Sequence, residues 1–70
     1  MAPIAAQELA EHVVTEGFAA QKDGLNALYE AARAKSVSGV LLEVVADELE
    51  PRPVRERALG RIVIHLSRAA

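Results

Sequence analysis

The stretch VRERALGRIVIHLSR, residues 54–68, decides how this chain folds. Read at the helical period, Val54, Ala58, Leu59, Ile62, Val63 and Leu66 gather on one broad apolar face, with Arg57, Arg61 and Arg68 on the far side. Read at a strand's period of two, residues 61–67 alternate: Ile62, Ile64 and Leu66 point one way, Arg61, Val63, His65 and Ser67 the other, and Gly60 marks the start. The helix is the reading adopted, because a strand needs a neighbour to pair with and no second convincing strand exists in the chain. The choice falls hardest on Ile64. A strand makes it core, whereas a helix leaves it in water among the arginines.

Upstream lies Pro51-Arg52-Pro53, which reads as a short turn, since proline disfavours helix at the residue before it and brings no amide donor. Before the turn, from Val40, Leu41, Val44, Val45 and Leu49 form one stripe that Leu42 and Ala46 widen, with Glu43, Asp47 and Glu50 opposite. These segments are expected to form a helical hairpin. Its register is expected to be assisted by arginines of the last helix facing Glu43, Asp47, Glu48 and Glu50, each exposed pair contributing under about 1 kcal/mol.

Further upstream, Ser36-Val37-Ser38-Gly39 reads as a connection whose serines cap the next helix. Phe18, Leu25, Leu28, Tyr29 and Ala32 recur near a helical period and predict a helix over 18–35, kinked or restarted at Asp23-Gly24. Pro3 suits a first helical turn, and residues 3–15 carry Leu9, Ala10, Val13 and Val14 at three-to-four spacing before Gly17 stops them. Gly17, Ala20 and Gly24 read as a small-residue surface that lets helices approach closely, or else the two glycines are simply breaks.

The composition of the 70 residues bears on how such helices could be stabilised. A single domain over 1–70 this small buries a modest fraction of its surface, and alanine supplies more than a third of the 51% hydrophobic content, with Phe18 and Tyr29 the only aromatics. There is no cysteine for a disulfide and only His12 and His65 for a metal, so self-association is the remaining way to enlarge the core. The expected fold is therefore all-α: a small three- to four-helix bundle, its last two helices a hairpin, its core completed by a second copy.

The formal net charge of −2 conceals an asymmetry. Residues 1–50 hold nine acids against Lys22, Arg33 and Lys35; residues 51–70 hold Arg52, Arg55, Arg57, Arg61 and Arg68 against Glu56 alone. An arginine cluster can neutralise phosphates, but here no lysine, aromatic, Asn or Gln accompanies it to stack on or read bases, and the acids elsewhere repel a duplex. Nucleic acid is therefore the weaker expectation for a partner. The alternative it leaves is a small DNA-binding regulator with the last two helices as a helix-turn-helix pair. The chain lacks a run of roughly 20 apolar residues and a basic-then-apolar leader, so it is expected in the cytoplasm with no membrane partner. Its Ala, Val, Arg and Glu usage suggests a GC-rich bacterial or phage genome.

Motifs for chemistry are sparse. Glu8, Glu11 and His12 superficially resemble the spacing of helical zinc hydrolases, but the second histidine on the same helical face is missing, and His12 is expected to be an exposed residue beside Glu8 and Glu16. The serines have no local base, and the four glycines make no phosphate-cradling loop. No enzyme activity, metal or cofactor is expected. Tyr29 lies one turn from Arg33 and can stack on it or anchor an interface. The function expected is a small interaction module, an adaptor, inhibitor or regulator acting by binding. Its interface is Arg57, Arg61, Ile64 and Arg68: an apolar anchor framed by guanidinium groups suited to carboxylates on a second copy or on an acidic partner protein.

Overall fold

The computed structural model describes the backbone of residues 3–69 and the side chains of residues 6–68. Four α-helices succeed one another with no strand among the described residues: α1 (Pro3–Glu16), α2 (Lys22–Ala34), α3 (Gly39–Ala46) and α4 (Arg52–Ala69), with a single 3₁₀ turn at Ala19–Gln21 leading into α2. The helical reading of residues 54–68 is the one found. Ala58, Leu59, Ile62 and Leu66 are buried, Val63 is half-buried and Ile64 remains 51% exposed. None of the described helices is long and apolar enough to cross a membrane.

The core gathers one stripe from each helix. Ala6, Leu9 and Val13 of α1, Leu25, Leu28 and Ala32 of α2, and Leu42 and Val45 of α3 meet the α4 stripe, and Phe18 closes the end near the 3₁₀ turn. Helix α4 is the wall the others share: it packs most extensively on α3, then on α1, and more lightly on α2.

Several boundaries depart from expectation for local physical reasons. Helix α3 does not run to the prolines. It stops at Ala46 because Asp47 turns extended (φ −79°, ψ 105°) and its carboxylate accepts the Leu49 amide at 2.9 Å, a side-chain turn that competes with the helix. Leu49 thereby leaves the stripe it was expected to join and is 94% exposed. Pro51-Arg52-Pro53 is not a turn but the entry to α4: the Pro51 carbonyl accepts the amides of Val54 and Arg55, and Pro53 occupies the first turn, where a missing amide donor costs nothing.

The glycines divide. Gly17 ends α1 in the left-handed region at φ +94°. Gly24 is a close approach: a Cβ there would lie 2.7 Å from Leu9 Cδ1, so its small size sets how near α2 comes to α1. The restart expected at Asp23-Gly24 occurs a little earlier, at the junction of the 3₁₀ turn with Lys22, which leaves Asp23 in the first turn of α2.

Neither connecting serine caps through its side chain. Ser38 precedes α3 without a capping hydrogen bond. Ser36 instead takes φ +59° at the end of α2, where the amides of Ser36 and Val37 reach the carbonyls of Arg33 and Ala32. That is the Schellman arrangement with serine in the seat glycine usually fills, at a backbone cost on the order of 1 kcal/mol.

Candidate functional site

Two of the five arginines of residues 51–70 belong to the fold. The last carbonyls of a helix have no partner within it and carry partial negative charge, which a cationic donor can satisfy. Arg52, at the start of α4, donates from Nη2 to the carbonyls of Val13 at 3.2 Å and Val14 at 2.5 Å at the end of α1, and from Nε to Glu56 at 2.7 Å. Arg55 donates from Nε to the Val45 carbonyl at the end of α3, at 2.9 Å, and lays its guanidinium 4.0 Å from the centre of the Phe18 ring. Each arginine thus closes a helix C-terminus onto the first turn of α4.

Tyr29 borders the same end of the core, beside Arg55 and not stacked on Arg33. Burial pushes its phenol above the ordinary 10.0, and the Arg55 charge pulls partly the other way. The neutral form is thus favoured in the fold, so its contribution to stability is complete below pH 10.0 and is lost as pH rises through the higher folded value.

The expected pairing between the arginines of α4 and the acids of residues 43–50 is not found. Among the described residues the ion pairs are His12 with Glu16 at 3.4 Å and Arg52 with Glu56, each within one helix. The hairpin register rests on apolar packing and on the Arg55 bond to Val45.

Arg57, Arg61 and Arg68 are all exposed. At 100° per residue they lie within a narrow arc of the α4 surface around Ile64. Beside that arc lies an apolar groove of about 750 Å³ between α1 and α4. Its floor is Ala10, Val14, Leu59, Gly60, Val63 and Ile64; Glu11 and Glu56 stand at its margins, with Gln7 and Arg68 towards one end. Ile64 and Arg68 line this groove, while Arg57 and Arg61 flank it on the outer side of α4.

Sequence reasoning missed the other bank of the groove, on α1. Val14 is 55% exposed although it shares the spacing of the buried Leu9 and Val13, because the α1 stripe is wider than the core can cover. It also gave Arg52 and Arg55 no role beyond the expected pairing with acids. A signal was present: Arg55 lies three, four and seven residues before Ala58, Leu59 and Ile62, which sets a charge on the buried stripe itself.

Exposed His12 pairs with Glu16 alone, and no group of three or more His, Asp or Glu suited to a metal ion occurs among the described residues. No protein-family model, curated protein or solved structure matches the chain.

Proposed function

We propose that this protein is a small non-enzymatic interaction module that acts by docking another protein chain in the α1–α4 groove. The observation that carries the reading is the half-exposed pair Val14 and Ile64, facing one continuous apolar groove from two different helices. Scattered apolar residues on a surface are ordinary, but a contiguous patch with polar margins has the make-up of a binding face. Arginine at the margin suits carboxylates on the docked chain. DNA binding draws less support, because Arg52 and Arg55 direct donors to helix carbonyls, which leaves Arg57, Arg61 and Arg68 for phosphates.

The test compares Val14→Asp and Ile64→Asp with Leu49→Asp, an exposed apolar residue outside the groove. Helicity is followed by circular dichroism, association by light scattering, and free apolar surface by the fluorescence of anilinonaphthalene sulfonate. Both groove variants are expected to keep native helicity while losing self-association or dye binding, whichever the wild type shows; Leu49→Asp changes neither. Groove variants that match wild type in both readouts would sink the proposal.

A further inference from the structure

We infer that the chain docked in the α1–α4 groove is a second copy of this protein, related by a two-fold axis running along the groove, so that α1 of each copy packs on α4 of the other. The inference rests on the groove being a docking face, and three observations choose the occupant.

The first is the distribution of charge on the two banks. Of the acids exposed on α1, Glu11 lines the groove while Glu8 and Glu16 lie further round the helix, which carries no lysine or arginine; the α4 bank exposes Arg57, Arg61 and Arg68, and its one acid, the half-buried Glu56, is held by Arg52. Apart from Glu16, which meets His12, and Glu56, which meets Arg52, none of these makes an ion pair among the described residues. The second is direction. Arg52 at the start of α4 holds the last turn of α1, so the two helices run antiparallel along the groove.

Two copies placed face to face with their helices aligned can be related by a two-fold axis across the groove or along it. An axis across it sets α1 on α1 and α4 on α4, glutamate facing glutamate and arginine facing arginine. An axis along it exchanges the banks. Glu8 and Glu11 of one copy then face Arg57 and Arg61 of the other, twice over, and Val14 and Ile64 of both copies close into one apolar layer. Like charges in contact across an interface are strongly disfavoured, so the surface admits the second arrangement and rejects the first.

The third observation is Gly60. It lies within an 18-residue helix, where glycine costs about 1 kcal/mol relative to alanine. It lines the groove, and a Cβ built on it would meet nothing within 4 Å. Packing within the chain gives no reason for glycine here. A helix of a second copy, approaching the α4 backbone over the groove, gives one.

The decisive experiment uses charge reversal and mixing. Sedimentation equilibrium of the wild type across micromolar to millimolar concentrations is expected to show a monomer–dimer equilibrium, with helicity checked for every variant. Glu11→Arg alone and Arg61→Glu alone each set like charges face to face and are expected to weaken dimerisation by about tenfold, the equivalent of 1.4 kcal/mol spread over two symmetric contacts. Mixed in equal amounts, the two variants are expected to recover dimer, because in the mixed pair every arginine again meets a glutamate. Recovery by mixing cannot come from a contact within one chain.

A wild type that dimerises but whose charge variants neither weaken nor complement one another overturns the proposed axis. A wild type that stays monomeric overturns the second copy as occupant. In that case the dye separates the two claims: a monomer that binds anilinonaphthalene sulfonate in an Ile64-dependent way leaves the groove as a docking face for a different chain, whereas one that does not loses the docking face as well.

Discussion

Ile62→Ala is expected to cost about 2–5 kcal/mol of unfolding free energy, and Ile64→Ala in a chain kept dilute is expected to stay within about 0.5 kcal/mol of wild type. The two residues are two positions apart and the substitution is identical, so the contrast isolates their surroundings. Ile62 is fully buried against the stripes of the other helices, and truncating it leaves a cavity that the packed core can fill only in part. Ile64 is half in water and loses little. For a domain of 70 residues, a loss at the upper end of that range is comparable with the whole folding free energy. Chemical denaturation at low protein concentration reads both values. Equal costs at the two positions would restore the strand reading, which sets Ile62 and Ile64 on one face.

The second large effect is expected at Arg55. Arg55→Ala removes a charged donor from the Val45 carbonyl at the end of α3 and takes the guanidinium off Phe18. A hydrogen bond from a charged group contributes about 1.5–3 kcal/mol, and a partly covered cation–π contact adds on the order of 1 kcal/mol. A loss of about 2.5–4 kcal/mol is therefore expected, against about 0.5 kcal/mol or less for the exposed Arg57→Ala. Tyr29 supplies a second readout. Its phenol is raised by burial and partly lowered by Arg55, so removing the guanidinium is expected to shift the phenol further upward. Phenolate absorbance during an alkaline titration detects this. An unmoved phenol together with equal stability of the two alanine variants would show that Arg55 is no more than a surface charge.

These two contrasts mark how much of the molecule was legible in its sequence. The helix type and the inward face of α4 come from the spacing of Ala58, Leu59, Ile62 and Leu66, because a 3.6-residue period fixes which side chains can share a face. The end of α3 was not legible in the same way. Leu49 has the right spacing for the stripe, but the Asp47 carboxylate captures the Leu49 amide, and a local side-chain turn overrides a hydrophobic pattern only one residue longer. The acid-facing arginines failed for a different reason. Charge content along a sequence says which groups could pair, whereas the direction of each side chain decides which do, and Arg55 points inward to a carbonyl. At the groove, Ile64 and Arg68 could be placed beside each other from α4 alone. The bank supplied by α1 could not, since the placing of Val14 and Ile64 on one groove is a tertiary relation between residues fifty positions apart.

The position of α4 has a thermodynamic consequence. Helices α1 and α3 scarcely touch, yet each lies against α4, and each has its terminal carbonyls held by an arginine of the same α4 turn. Detaching either helix uncovers part of the α4 stripe and frees one of those guanidinium groups, so the remaining structure cannot persist as a stable fragment. The free energy of opening is therefore shared: slow-exchanging amides at the centres of α1 and α3 are expected to exchange with deuterium at a common rate set by global unfolding, although little direct contact couples them. Distinct opening energies for the two helices would mean that α4 can let go of one and keep the other.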